Sequence, residues 1–418
     1  MTTPTDRSFL GSHKIDYVEK VLLRACELRP GMYVCELDRP WLDTPFLLQG
    51  FEVSNDADVE VVMRYCEHVY IDLQRSRIVK VKPGERGDGT SAGKKNTPFD
   101  KKDLEVSASA HKQTTQLLKT FADEIRFGQT PKLHLAKSAV AECVAGVMCN
   151  PTAMMFMTRL RKKDEYTSQH AFSVCVYSII LGRRLGLDAL QLENLGTCGL
   201  LHDMGKLEIP DSILNKPGKL TAEENEIMQS HTKLGRDILM SGRDIFSGAV
   251  DVAYGHHEHL DGTGYPRGLQ DHQLNTNCKI VAVVDKYDAL TTHRAYRPGQ
   301  DHLSAVAILN KLAKDHKIDS KLTTSFVAYL GIYPPGTTVE LSSGEVGIVL
   351  GSTPEHRLRP QLLVVRDANK NPVQCFVDMS EKAADERGRP YRIIAVHAPG
   401  DFEVDVTQYY DLIVQAIE

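Results

Sequence analysis

The stretch LLHDMGK, residues 200–206, places His202 and Asp203 side by side directly after a run of apolar residues. If the stretch is helical, His202 and Lys206 share one face, because residues four apart are neighbours on a helix. A neutral imidazole beside a carboxylate suits a divalent metal, and a nearby lysine suits a phosphate. A helix that merely carries polar residues near its end explains the same seven residues, so this stretch alone leaves both interpretations open.

The composition is that of an ordinary globular protein. Of 418 residues, 42% are hydrophobic and 25% are charged. This length exceeds what one core usually organises, so two or three domains are expected. With a net charge of −5, nothing in the overall composition argues for a surface for nucleic acid or anionic membranes, and we expect no DNA partner. No run approaches the roughly 18 apolar residues of a membrane-spanning helix.

The N-terminus and the cysteines indicate a cytoplasmic location. The first twenty residues, MTTPTDRSFLGSHKIDYVEK, lack the apolar core of a signal peptide. The nine cysteines are scattered and form no CxxC pair. An odd number of scattered cysteines is typical of reduced, mostly buried thiols, so we predict a cytoplasmic protein without disulfides.

The residue pattern changes twice along the chain and predicts a multidomain protein. Leu117, Phe121 and Ile125 recur at helical spacing, whereas the apolar runs at 346–350 and 362–365 are of β-type and are separated by turn residues. Gly186 is placed to end a long helix that begins after Thr167. We predict a flexible tail (1–12), a small α+β N-terminal domain (13–82), a linker (83–103), a mainly all-α helical bundle (104–335) and a small β-rich C-terminal appendage (336–418).

Further polar residues interrupt the apolar segments of the helical region. These are His170, His231, the pair His256-His257, and Asp285 after the apolar run at 280–284. Each has an ordinary explanation. A lone histidine on a helix is usually a surface or satisfied core residue, and an aspartate can cap a helix.

Considered together, these residues predict a metal centre. An antiparallel bundle can bring inward-facing histidines and carboxylates to one point. Five histidines and two aspartates are too many for one ion with an open position, and they suit two ions joined by a bridging carboxylate. Asp203 is the candidate bridge, because it adjoins a candidate ligand. Nitrogen and oxygen ligands without thiolate favour iron or manganese, with nickel or zinc as further options.

Four longer motifs follow one another in the same region. They are HDMGKLEIP (202–210), KPGKL (216–220), HHEHLDGTGYP (256–266) and DKYDAL (285–290). In this order they resemble the HD-GYP family, whose members are helical HD-type, metal-dependent phosphodiesterases that hydrolyse cyclic di-GMP. The resemblance covers about residues 136–333. The segments RPGMYV (29–34) and DTPF (43–46) resemble an N-terminal domain often attached to this family.

The resemblance implies roles for particular residues. It implies two divalent metal ions, with Asp203 and Lys206 as the catalytic residues and Lys206 on an oxygen of the scissile phosphate. Some members bind a third metal through a glutamate that precedes the first ligand histidine by one turn. Tyr166 stands there, next to Glu165, which favours two metals. The implied metal ligands are His170, His202, Asp203, His231, His256, His257 and Asp285, and the implied substrate contacts are Lys206, Tyr265, Asp288, Arg294 and Arg297.

The resemblance also implies an activity and partners. The expected reaction is hydrolysis of cyclic di-GMP to 5′-pGpG, to GMP, or to both. The surface around Gly264-Tyr265-Pro266 is implied in docking diguanylate cyclases, and the helix over about 104–127 is a candidate for pairing two chains as a homodimer. Two alternatives stay open. One is a cyclic di-GMP-binding sensor or adaptor with little turnover, and the other is an HD-type hydrolase of another nucleotide.

Overall fold

The structure is a computed structural model, and its contacts divide the chain into two compact units. The first comprises Met1–Trp41 and Gln49–Arg86, and the second comprises Leu42–Leu48 and Gly87–Glu418. Among the described helices, none combines the length and the apolar character needed to cross a membrane. The structure describes residues 20–39, 44, 50–72, 98–160, 166–242, 245–292, 299–353, 356–381 and 391–416.

The first unit contains a small antiparallel sheet and one helix. Its elements are β1 (Lys20–Arg24), β2 (Tyr33–Leu37), β3 (Phe51–Glu52), α1 (Asp56–Tyr65) and β4 (His68–Asp72), with the sheet order β1-β4-β2-β3. Helix α1 begins where the Asn55 side chain accepts hydrogen bonds from the amides of Ala57 and Asp58, which satisfies free amides of the first turn. The α+β character expected of the N-terminal region is present in these residues.

The second unit is built mainly of helices. Helix α5 lies at its centre and packs against α3, α6 and α11, with Val174, Ile179 and Leu181 fully buried. The helices are α2 (Lys101–Arg126), α3 (Leu135–Cys149), α4 (Pro151–Met157), α5 (Tyr166–Arg184), α6 (Ala189–Leu201), α7 (Asp211–Leu214), α8 (Ala222–Gln229), α9 (His231–Ser241), α10 (Ser247–Gly255), α11 (Thr276–Thr291), α12 (His302–Lys314) and α13 (Ser320–Leu330).

Several helix ends follow from local sequence. Gly186 has φ +82°, a left-handed conformation that favours glycine, and it stands just after α5 as predicted. Helix α6 begins at Asp188, whose side chain accepts from the amide of Gln191 while the Gln191 side chain accepts from the Asp188 amide. This reciprocal pair fixes the start of the helix whose other end carries His202.

A C-terminal sheet follows the helices within the same unit. Its strands are antiparallel in the order β8-β7-β6-β5-β9. Alternate residues of β6 face different cores: Ile348 joins the helical core, whereas Val349 joins a second core between the strands. The sheet therefore buries one face against the helices. The strands are β5 (Thr338–Leu341), β6 (Val346–Gly351), β7 (Gln361–Arg366), β8 (Pro372–Asp378) and β9 (Ile393–His397).

The last described segment returns to the helices. Helix α14 (Tyr410–Ala416) places Ile413, which is fully buried, in the helical core. The hydroxyl of Tyr409 accepts a hydrogen bond of 2.9 Å from Arg366 on β7. This segment thus contacts both the sheet and the helical bundle.

Candidate functional site

Seven side chains from five helical segments meet inside the second unit. Their ligand atoms form two groups in which all atoms lie within 4.8 Å of one another. All seven side chains are buried except that of His257, which is partly exposed. The groups are Asp203 with His231, His256 and His257, and His170 with His202 and Asp285.

Close packing of backbones brings these segments together. A Cβ added at Gly199 on α6 would lie 2.9 Å from the carbonyl oxygen of Val174 on α5, so only glycine permits this approach. A Cβ at Gly205 would overlap the backbone of His231 and of Gly235 on α9. The two glycines therefore set the positions of the segments before and after the His202-Asp203 pair.

Asp203 lies between the two groups. Its Oδ2 is 3.2 Å from Nε2 of His202 and 3.4 Å from Nε2 of His170. Its Oδ1 is 3.4 Å from Nε2 of His231 and 3.6 Å from Nε2 of His256. Each carboxylate oxygen thus faces one group, which is the arrangement expected of a bridging ligand.

Three of the histidines are oriented by backbone carbonyl groups three or four residues before them. Nδ1 of His202, His231 and His256 lies 2.8, 2.6 and 3.0 Å from the carbonyl oxygens of Gly199, Met228 and Val252, respectively. A carbonyl oxygen only accepts hydrogen bonds, so each Nδ1 carries a hydrogen, and in the neutral ring Nε2 carries the lone pair that a metal would take. Each Nε2 lies within 3.6 Å of Asp203.

Burial and neighbouring charges set the protonation states of these side chains. Burial lowers the pKa of His231 to about 4 and also lowers the pKa of His256 and His257, so these rings are neutral at pH 7. Burial disfavours the charged forms of His202 and Asp203, but their mutual attraction outweighs it. The pKa of His202 is therefore raised, and the pKa of Asp203 is held well below its ordinary range.

The cluster has buried polar atoms left over for a ligand. Within the described residues, Nε2 of His202, Oδ1 of Asp203 and Nδ1 of His257 are buried and make no hydrogen bond of normal geometry. Buried polar atoms normally have a partner, and these three belong to the residue types that bind divalent metals. The donor set therefore fits divalent metal binding.

The loop that carries the GYP tripeptide is fixed beside the cluster. The Glu258 side chain is fully buried and accepts hydrogen bonds from the amides of Arg267 (2.8 Å) and Leu269 (2.9 Å). A Cβ at Gly264 would overlap the backbone of Glu258, so the turn requires glycine there. The ring of Tyr265 packs on that of His257 with centroids 4.8 Å apart. Sequence reasoning had assigned no role to Glu258, although its place in the HHEHL segment was a usable signal.

The expected substrate residues differ in their exposure and in their contacts. Lys206, with a side chain 18% exposed, donates a hydrogen bond to Asp203. Asp288 is only 1% exposed and lies behind His170. In this conformation its carboxylate contacts His170, and its contact with the substrate stays a prediction. Arg294 and Arg297 lie outside the described residues.

The KPGK loop also has a structural explanation. Nζ of Lys216 lies 2.7 and 2.6 Å from the two carboxylate oxygens of Glu224 on α8. Glu224 also caps α8, since its side chain accepts from the amide of Thr221. Lys216 is therefore paired with a carboxylate of the protein itself, while Lys219 is exposed.

Family models match both parts of the chain. A model described as "HD domain" matches residues 154–322, and a model described as "Domain of unknown function (DUF3391)" matches residues 23–136. The first match contains all seven clustered side chains. The second covers most of the described first unit and extends into α3.

Curated relatives carry phosphodiesterase names. A cyclic di-GMP phosphodiesterase from Pseudomonas aeruginosa is 33% identical over 86% of this chain and 89% of that protein. The cyclic di-GMP phosphodiesterase response regulator RpfG from Xanthomonas campestris is 36% identical over 37% of this chain and 42% of that protein. A 3′3′-cGAMP-specific phosphodiesterase from Vibrio cholerae is 35% identical over 41% of this chain and 39% of that protein. The chain thus spans most of the first relative and about two fifths of the other two.

A solved structure gives a weaker match. A protein from Bdellovibrio bacteriovorus, described as an HDG"Y"P protein, aligns over 75% of this chain and 99% of that chain. The identity is 16% and the TM-score is 0.44, which is too low to establish a common overall fold.

Proposed function

The chain belongs to the HD-GYP family, and from this premise we propose that it is a metal-dependent phosphodiesterase that hydrolyses cyclic di-GMP to 5′-pGpG, to GMP, or to both. The observation that carries the proposal is the position of Asp203, with one carboxylate oxygen facing His170 and His202 and the other facing His231 and His256. The cyclic di-GMP phosphodiesterase names of the relatives support the substrate.

The proposed cofactors are two divalent metal ions. One position would be held by His170, His202 and Asp285, and the other by His231, His256 and His257, with Asp203 shared. Iron or manganese fits these nitrogen and oxygen ligands best, with nickel or zinc as alternatives. When bound, a metal pair of this kind lowers the pKa of a water nucleophile and neutralises charge on the phosphoryl oxygens.

The chain's own residues would position and stabilise the substrate. Lys206 lies at the edge of the cluster, and its ammonium group is proposed to contact an oxygen of the scissile phosphate. Burial raises the pKa of Tyr265, so its phenol stays protonated and can donate a hydrogen bond while the ring packs on His257. Arg294 and Arg297 are proposed to offer planar guanidinium groups to the second phosphate or to a guanine edge.

The test is to remove the bridging carboxylate. Asp203→Ala should lose bound metal and cyclic di-GMP hydrolysis but keep its helical content, measured by elemental analysis, product chromatography and circular dichroism. Asp237→Ala is the matched control, because it removes an exposed carboxylate from α9 that pairs with Arg236. Full turnover by metal-free Asp203→Ala protein would refute the proposal.

A substrate panel separates the remaining alternatives. The 3′3′-cGAMP-specific names of some relatives make that dinucleotide the second candidate substrate. Faster hydrolysis of 3′3′-cGAMP than of cyclic di-GMP by metal-loaded protein would favour it. Tight binding of cyclic di-GMP without product would instead indicate a sensor or adaptor. Docking of diguanylate cyclases at Gly264-Tyr265-Pro266 and formation of a homodimer stay predictions.

A further inference from the structure

Asp288 makes a contact that distinguishes His170 from the histidines that are oriented by backbone carbonyl groups. Asp288 stands one turn after Asp285 on α11, and its Oδ2 is 2.7 Å from Nδ1 of His170. The same oxygen accepts a hydrogen bond of 3.2 Å from the Thr292 hydroxyl. At 1% exposure, the carboxylate lies behind the histidine, on the side away from Asp203.

The contact sets the direction of the imidazole. An ionised carboxylate only accepts hydrogen bonds, so Nδ1 of His170 carries the hydrogen and Nε2 carries the lone pair. Nε2 lies 3.1 Å from Asp285 and 3.4 Å from Asp203, at the centre of its group. Orienting carboxylates of this kind increase the basicity of a ligating histidine.

The corresponding partners in the other group are uncharged. His231 and His256 donate from Nδ1 to backbone carbonyl oxygens. Among the described residues, the only carboxylate in the second group is that of Asp203, whereas Asp285 and Asp288 both lie in or behind the first. The position bounded by His170, His202 and Asp285 therefore has two additional carboxylates beside it, and the Lys206 ammonium group and the Arg159 guanidinium offset part of their charge.

We infer that Asp288 is a positioning residue that orients His170 and makes the position formed by His170, His202 and Asp285 the tighter of the two metal positions. The position formed by His231, His256 and His257 releases its metal first. This inference rests on the proposed metal centre. The contact between Asp288 and a guanine that the family resemblance implies is the competing role that the experiment tests.

The experiment compares Asp288→Asn with Thr291→Val. Asparagine keeps the shape and an acceptor oxygen but removes the charge. Thr291 is an equally buried neighbour on α11, and its hydroxyl bonds only to the carbonyl oxygen of Tyr287 among the described residues. Both proteins are loaded with Mn²⁺ and challenged with graded chelator, and retained metal is measured by elemental analysis. Co²⁺-substituted protein supplies the visible spectrum of each position.

The unsubstituted protein and Thr291→Val should lose metal in two separate steps. In Asp288→Asn the tighter step should weaken by about 10- to 100-fold, which merges it with the first. The Co²⁺ bands of the tighter position should shift, and KM for cyclic di-GMP should stay within about twofold. Melting curves of the three apoproteins show whether any change comes from the fold instead.

Each other result has a defined meaning. An unchanged chelator profile and spectrum in Asp288→Asn, with KM raised, would overturn the inference and restore a substrate contact. An equal change in Thr291→Val would assign the effect to general packing of α11 and would also overturn it. Unsubstituted protein that binds no metal would refute the proposed function itself, which separates that failure from the others.

Discussion

Gly205 is the point at which the turn that carries Lys206 touches helix α9. A Cβ at this position would lie 2.8 Å from the carbonyl carbon of His231, and closer still to its oxygen and to the amide nitrogen of Gly235. Carbon atoms pack at roughly 3.5–4.0 Å, so Gly205→Ala must push the two segments apart by about 1 Å. Both neighbours are backbone atoms, which cannot rotate away as a flexible side chain would.

This displacement acts directly on the metal centre. Asp203 precedes the glycine by two residues, and its Oδ1 lies 3.4 Å from Nε2 of His231 at the start of α9. Metal–ligand distances hold to within about 0.2 Å. A shift of about 1 Å therefore breaks the shared coordination, and kcat/KM should fall at least about 100-fold. Overpacking of this kind also costs about 1–3 kcal/mol of stability.

The opposite side of the same contact provides the control. A Cβ at Gly235 would lie 3.2 Å from the amide nitrogen of Gly205 and 3.6 Å from Cβ of Ala253, which requires a movement of only a few tenths of an ångström. Gly235→Ala should keep both metals, whereas Gly205→Ala should lose them, as measured by elemental analysis and thermal melting. If Gly205→Ala retained two metals with unchanged melting and activity, the close approach would not organise the centre.

Further predictions concern individual buried groups. Burial lowers the pKa of His302 from 6.5 to about 4, so between these pH values the unfolded chain binds a proton at this residue and the folded chain does not. The contribution of His302 to the free energy of unfolding is therefore fully present above pH 6.5 and falls by about 3 kcal/mol as the pH drops to 4. His302→Gln should flatten that decline in urea titrations, and an unchanged slope would contradict the assignment. In Glu258→Gln the side-chain NH2 group cannot accept a hydrogen bond from a backbone N–H group, so the free energy of unfolding should fall by about 1–3 kcal/mol. Hydrogen exchange at the amides of Arg267 and Leu269 should become faster, and unaltered exchange would count against this role of Glu258. Lys206→Met should lower kcat by about 100-fold or more at constant metal content, so unchanged kcat would remove Lys206 from the reaction. Ile413→Ala should destabilise the second unit by about 2–5 kcal/mol in urea unfolding, and a smaller loss would mean that α14 is loosely held.

The sequence predicted which side chains would meet, because each is a polar residue within or at one end of a helix that buries apolar residues. His170 and Asp285 are 115 positions apart in the chain, yet both stand on helices with otherwise buried inner faces. The predicted strands at 346–350 and 362–365 also correspond to β6 and β7, because their β-branched runs have few other stable environments.

The exact partners could not be predicted in the same way. Whether Asp288 points to a substrate or to His170 depends on how α11 is rotated against α5, and the spacing of residues does not report this rotation. Lys216 and Glu224 are eight residues apart, and their ion pair depends on the path of the loop between them. Likewise, the burial of β6 on both faces depends on which helices meet the sheet. Such features arise from tertiary packing and not from local pattern.

The sharing of β6 between two cores has a consequence for shortening the chain. Ile348 and Val349 are neighbours in sequence, yet each completes a different hydrophobic interior. A sheet that folded as an independent domain would bury its apolar residues within its own core. Because Ile348 belongs to the helical core, cutting the chain after α13 would leave apolar helix surface exposed to water, and the shortened protein is expected to aggregate.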